Sequence, residues 1–249
     1  MSVQIKGTRD VIQIRWIPKY TFVERLLHWV HTASFVPLSL TGMVLFFPLL
    51  APLAQGDAGI WFKMIHRLAA LIFIFEPILY AILQPRRLVL SIKEFGFNRE
   101  DLREDIGWVK NAFGYYVLGR HGAMPPQGRF NTGEKMNGLI MVASWVLFVL
   151  SGLIMWFGKT FVPAGLFQGM VMIHDLTFIL AVCMFLVHLY LAVGHPLMWA
   201  GLVSMRFGVT SADYAAEHHA KWYYGPKRAR ELYEAQKKAA LEAGQPKEE

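Results

Sequence analysis

The sequence predicts an all-α integral membrane protein, a four-transmembrane-helix bundle with both termini cytoplasmic, and three observations carry that prediction. The 249-residue chain is 55% hydrophobic and only 17% charged, whereas soluble domains average about 45–50% apolar and about 25% charged. Its charges avoid four stretches: Leu26 to Gly56 and Met136 to Gly158 contain none, Leu68 to Gln84 only Glu76, and Met170 to Gly201 only Asp175. Lys and Arg are shared unevenly among the segments between these stretches, which sets orientation.

The elements follow in order. A polar arm through Arg25 carries five Lys or Arg. The first span is expected near 26–47; it is too long for a secretory h-region and reads as a retained helix. A second span near 62–83 leads into a connection, 84–135, with nine Lys or Arg and Pro85, Pro125 and Pro126. Such a length is too great for a structureless link, so short interfacial helices are expected within Lys93 to Tyr116. Spans three and four are expected near 136–157 and 170–193. The segment from Arg206 onward holds eight Lys or Arg, and the two remaining connections hold only Lys63 and Lys159, with Arg67 just inside span two. Residues 1–225 are expected to form the membrane domain, and 226–249 a solvated tail that frays into disorder.

Cys183 is the single cysteine. That excludes an internal disulfide framework, a four-cysteine zinc site and an iron–sulfur cluster held by this chain alone. The net charge of +7 gathers at membrane edges, so it points to lipid and not to nucleic acid. In KWYYGPKRAR, Lys221 to Arg230, basic and aromatic residues together read as an interfacial anchor on anionic lipid.

The chemistry sits in intramembrane histidines, where ionisable groups are costly and functional by default. His28 and His188 lie near the cytoplasmic ends of spans one and four, and His66 and His174 near the outer starts of spans two and four. Fourteen residues separate His174 from His188, roughly 21 Å along a helix and about 40° short of four full turns. They therefore share one face. Two imidazoles on one face, each with a depth-matched partner on another helix, are what two stacked bis-histidine haems require. The bland reading is interhelical packing glue. His31 has no depth-matched partner left and reads as a packing or haem-edge residue. Gly42, Gly138 and Gly152 permit close approach of a helix or a porphyrin plane. Arg67 and Lys159, at the outer level, are either propionate partners or snorkelling cations.

The segment GRFNTGEKMNG places Asn131, Gly133, Glu134 and Lys135 at the cytoplasmic start of span three. Two readings stay open there: a quinone headgroup site, or a helix N-cap by Asn131 or Thr132 with Glu134 at the positive end. Glu134, His195 and the pair His218–His219 are possible proton carriers, the last two more naturally solvated surface residues.

ERLLHW, IHR, NTGEKMN, IHD with HLYLAVGH, and AEHHAKWYY occur in this order over about residues 18 to 224. In that order they resemble the di-haem cytochrome b (gamma) subunit of membrane-bound formate dehydrogenases. The resemblance implies His28 and His188 as ligands of a cytoplasmic-side haem b and His66 and His174 as ligands of an outer haem b. It implies a quinone pocket at Asn131 and Gly133 bordering His188, with menaquinone or ubiquinone as substrate. It also implies an iron–sulfur subunit as partner and, through it, a catalytic molybdenum or tungsten dehydrogenase subunit, in a bacterial inner membrane. The chain would be an electron-transfer and quinone-reducing subunit that does not itself oxidise formate. Similar cytochromes serving hydrogenases or other molybdenum oxidoreductases fit the same residues, and the 84–135 connection reads as long for the family. A proton-coupled transporter, with Glu76 beside Pro77 as its site, is the alternative of another class, but it needs no paired depths.

Overall fold

The structure, a computed structural model, describes residues 2–7, 10–95, 98–119, 124–242 and 244. Two strands open the chain, β1 (Ser2–Gly7) and β2 (Asp10–Pro18), paired antiparallel from Ser2 with Arg15 to Gly7 with Asp10. Helix α1 (Phe22–Phe46) starts at a reciprocal cap: Thr21 Oγ1 accepts Glu24 N–H while Glu24 accepts Thr21 N–H. That box satisfies two N-terminal donors at once. A 3-10 run, Pro48–Ala54, folds back on α2 (Gly56–Leu83), and the carbonyl of Ala54 lies 2.1 Å from where a Cβ on Gly59 would stand. Only glycine fits there.

Helices α3 (Pro85–Glu94) and α4 (Arg99–Tyr116) form the connection, with Asn98 capping α4 through Asp101 N–H. Then come α5 (Thr132–Phe157) and α6 (Ala164–Leu189), the latter running on as a π-helical turn, Tyr190–Gly194. The chain closes with α7 (Trp199–Phe207), β3 (Val209–Ser211), α8 (Ala212–His218), α9 (Ala220–Tyr224) and α10 (Pro226–Glu242). β3 joins β2 antiparallel, from Trp16 with Ser211 to Pro18 with Val209, so β2 is central in a three-stranded sheet.

α1, α2, α5 with its 3-10 extension, and α6 with its π turn are long and apolar enough to cross a membrane. The four expected spans are therefore present. All four begin before the expected spans, at Phe22, Gly56, Thr132 and Ala164, because the backbone hydrogen-bond ladder extends past the charge-free stretch that sequence alone delimits. The sheet was not among the expected elements. Its strands alternate β-branched with polar residues, as in VQIK and VIQIR, a period-two pattern that a basic arm conceals only when read for charge.

The chain divides into two compact units: Thr21–Pro85 with Asn137–Met205, and Met1–Tyr20 with Arg86–Met136 and Arg206–Glu249. The first holds most of the apolar spans. Its core joins Phe35, Phe73 and Ala181, with Trp145, Phe148 and Phe185 against them. Around that core the pattern inverts that of a soluble protein. Ser34, Thr41, Ser144, Ser151 and Thr177 are buried, while Leu40, Leu139, Leu176 and Val142 face outward, because lipid is as apolar as leucine and only small residues let helices approach closely. Pro77 lacks an N–H, which strips the Phe73 carbonyl of its helical donor. The indole N–H of Trp145 on α5 donates to that carbonyl at 2.9 Å.

In the second unit α10 is docked by charge. Arg230 Nε and Nη1 lie 2.7 and 2.6 Å from Glu104 and Glu100 of α4, and Ala229 is 1% exposed. Lys221 reaches Asp101 at 2.7 Å and Glu104 at 2.5 Å. The expectation of a solvated tail is thus corrected for Ala229 and Arg230: acids on α4 collect cations that the sequence reading directed to water and lipid.

Candidate functional site

The intramembrane histidines form two pairs within one unit. The His66 and His174 ring centroids are 6.4 Å apart at 53°, and those of His28 and His188 are 6.3 Å apart at 61°. An imidazole nitrogen sits about 2.0–2.1 Å from a first-row metal and the ring centroid roughly 1 Å further back, so two axial imidazoles on one metal place their centroids about 6 Å apart. Both pairs match that separation. Among the described residues no group of three or more His, Cys, Asp or Glu gathers as a metal site; each pair offers two imidazole nitrogens, a donor set that fits a haem iron.

The His66–His174 pair is held by hydroxyls. Thr41 Oγ1 donates to the Pro37 carbonyl at 2.7 Å and lies 2.8 Å from His66 Nδ1. Ser151 Oγ donates to the Leu147 carbonyl at 2.6 Å and lies 2.9 Å from His174 Nδ1. A hydroxyl carries one proton, and in each case the helix carbonyl takes it. The hydroxyl oxygen therefore accepts Nδ1–H, which leaves the Nε2 lone pair of both rings free to bind a metal. A cavity of about 520 Å³ surrounds the two rings, a volume suited to a cofactor. Gly42 and Gly152 line it; a Cβ on Gly152 would stand 3.5 Å from His174 Cε1, and one on Gly42 3.4 Å from Phe178 and 3.9 Å from His66 Cε1.

Lys63 and Arg67 bring positive charge to the same cavity, with Arg67 Cζ 5.3 Å over the Trp156 ring. Propionates of a b-type haem fit such cations. Lys159 is elsewhere: it is exposed in the 3-10 turn Gly158–Thr160 and does not line the cavity. Lys63, one turn before His66, lines it instead.

His28 packs edge-on against Trp29 at 5.3 Å, and its buried Nδ1 finds no hydrogen-bond partner among the described residues. A buried ring nitrogen left so is costly as mere packing. His31, which has no histidine partner, lies with its Nδ1 3.1 Å from Glu76 Oε2.

The polar cluster belongs to the second unit. Asn131 Oδ1 accepts Glu134 N–H at 2.9 Å and Glu134 accepts Asn131 N–H at 2.8 Å, so the N-cap reading of Asn131 holds in the structure. Trp108 explains Gly133, since its ring edge lies 2.9 Å from where a Cβ would stand. Lys135 pairs with Asp105 at 2.9 Å. Lys19, 1% exposed in its side chain, is 3.5 Å from Glu134 and 2.9 Å from His219 Nε2, whose Nδ1 donates to the Gly128 carbonyl at 2.8 Å. Burial, and then Lys19, hold His219 down at about 4, and burial lowers Lys19 against the pull of Glu134. The expectation of a solvated surface role for His219 is corrected: it is 1% exposed. His218 stacks on Tyr214 at 4.3 Å, and His195 closes the π turn through its N–H to the Tyr190 carbonyl at 2.9 Å. Thr41, Ser151, Lys63, Lys19 and Trp108 escaped the sequence reading, although hydroxyls inside otherwise apolar spans are a usable signal for the first two.

The family described as "Prokaryotic cytochrome b561" matches residues 19–208. The "Formate dehydrogenase, cytochrome b556(fdo) subunit" of Escherichia coli is 25% identical over 212 residues, covering 83% of this chain and 92% of the relative. The "Formate dehydrogenase, nitrate-inducible, cytochrome b556(Fdn) subunit" of the same species is 24% identical over 236 residues, 92% of this chain and 98% of the relative. A "Formate dehydrogenase, cytochrome b556 subunit" of Haemophilus influenzae is 25% identical over 203 residues, 80% of this chain and 79% of the relative.

Proposed function

This chain belongs to the prokaryotic cytochrome b561 family, and from that premise we propose that it is the membrane electron-transfer subunit of a formate dehydrogenase, binding two b haems and reducing a quinone on the cytoplasmic side. Family and four apolar helices make it a multi-pass cytochrome b of the bacterial inner membrane. The observation that carries the proposal is the equal spacing of two imidazole pairs, 6.3 and 6.4 Å, about 21 Å apart along α6 in a hydrocarbon layer of about 30 Å.

When bound, each haem would supply a one-electron iron couple between an outer electron donor and the inner face. The residues do the rest. His66 and His174 hold the outer group, with Nδ1 protons fixed by Thr41 and Ser151; Lys63 and Arg67 face its acid edge. His28 and His188 hold the inner one. The quinone headgroup is assigned to the start of α5, where Asn131 supplies an amide and the helix dipole favours developing negative charge. Lys19 and His219, both buried, and the partly exposed Glu134 form a polar chain beside Asn131 that can move protons. The similarity to formate dehydrogenase cytochrome b556 subunits supports assembly with the other subunits of such an enzyme; we assign the electron supply to an iron–sulfur subunit and, beyond it, a catalytic molybdenum or tungsten subunit.

Purified protein should show a Soret band and about two b haems per chain by pyridine haemochrome. His66→Ala and His174→Ala should each remove one haem, and His28→Ala and His188→Ala the other. A colourless preparation, or a normal two-haem spectrum in His188→Ala, would sink the reading. Membranes with the full assembly should reduce both haems on formate addition; reduction by hydrogen alone would reassign the upstream enzyme.

A further inference from the structure

Between the two imidazole pairs lies a third pair that neither haem site uses. His31 Nδ1 is 3.1 Å from Glu76 Oε2, and the side chains are 27% and 10% exposed. His31 stands one turn past His28 on α1, about 4.5 Å along the axis, and Glu76 ten residues past His66 on α2, about 15 Å. The pair is thus at intermediate depth and nearer the His28–His188 level. The His31 ring lies 5.0 Å from that of Phe73 and 6.3 Å from that of Phe35, and these two rings line the cavity around His66 and His174.

A carboxylate at this depth is expensive and rarely kept for stability, because apolar residues of similar volume usually serve as well. The groups that could share its titration are few. On α1 there is His28; on α2 no charged residue lies between Arg67 and Glu76; α5 has none from Met136 to Gly158; α6 offers His188, with His174 and Asp175 at the far level. Glu76 and His31 together can carry a net charge of minus one or, with one more proton, zero.

We propose that His31 and Glu76 form a redox-linked proton-binding site: one proton joins the pair when an electron arrives at the His28–His188 level, and leaves when the electron does. The inference rests on the two-haem reading above. Charge balances: one electron adds one negative charge, and one proton taken up from the solvent makes one N–H or O–H bond on the pair. Neutralising the electron nearby matters because a lone charge is poorly screened in a low-dielectric interior.

The test is a redox titration of the full-length, quinone-depleted protein at a series of pH values on both sides of neutrality. In the wild type the potential of the haem lost in His188→Ala should fall as pH rises. Glu76→Gln should at least halve that slope and leave the slope of the other haem unchanged. His31→Gln, which keeps a hydrogen bond to Glu76, should flatten the same slope and decides the matter where Glu76→Gln loses haem. A flat wild-type profile, or slopes unchanged in the variants, overturns the proposal alone. Absence of any Soret band overturns the two-haem reading and the proposal with it.

Discussion

His174 and Ser151 meet across α6 and α5 with Nδ1 2.9 Å from Oγ, and the serine proton is already committed to the Leu147 carbonyl. The hydroxyl can then only accept, so it fixes both the tautomer and the tilt of the imidazole. Ser151→Ala leaves the ring N–H without its partner, at a cost of about 1–3 kcal/mol. It should weaken haem retention at the His66–His174 site by about 10–100-fold, the usual effect of removing such support. Haem content after dilution into excess apomyoglobin measures it. Retention equal to the wild type would mean that packing alone aligns His174.

Gly152 offers a graded test of the same cavity. A Cβ there stands at 3.5 Å from His174 Cε1, an ordinary contact, whereas a longer side chain enters the ring's space. Gly152→Ala should keep two haems and Gly152→Leu should keep one, scored by low-temperature difference spectra. Two haems in the leucine variant would show that the cavity wall yields.

At the start of α5, Asn131 serves both as cap and as the proposed quinone donor. Asn131→Asp preserves the cap but not the amide, while Asn131→Leu removes both and costs about 1 kcal/mol of helix stability. Both variants should keep their haems reducible and slow reoxidation by a quinone analogue about 10-fold or more, the scale of losing one well-placed donor. Normal reoxidation in the aspartate variant places the headgroup elsewhere.

His219 makes the second unit acid-sensitive. Its folded value of about 4 is below the unfolded value of about 6.5. Neutral His219 therefore stabilises the fold fully above pH 6.5, and the contribution is lost as pH falls through about 4, amounting to about 3 kcal/mol at most. Thermal unfolding should shift down between pH 7 and 5, and His219→Gln should show a smaller shift. Parallel curves for the two proteins would assign the acid effect to other groups.

The membrane bundle was legible because span length and charge exclusion are imposed by the bilayer on the chain directly. Histidine pairing was legible for the same reason: depth is readable along a helix. What failed to show was whatever depends on residues far apart in sequence. His31 and Glu76 are 45 residues apart and Arg230 and Glu104 126, and no periodicity in α1 or α10 announces such partners. Lys19 and His219, 200 residues apart, look like surface residues until their burial is known. The strands were readable in principle, since β-branched alternation in the arm is plain once charge is set aside.

The bond from Trp145 to the carbonyl opened by Pro77 has a consequence for the order of biogenesis. During synthesis α2 emerges some 72 residues before the indole that serves it. Until α5 arrives, the Phe73 carbonyl has no donor in lipid, a deficit worth several kcal/mol. The first helical hairpin is thereby left unfinished, and the second is drawn to one register against it, because sliding α5 by a turn strands both the carbonyl and the indole N–H. A proline that weakens one helix by itself becomes the device by which two separately inserted hairpins find a single way to join.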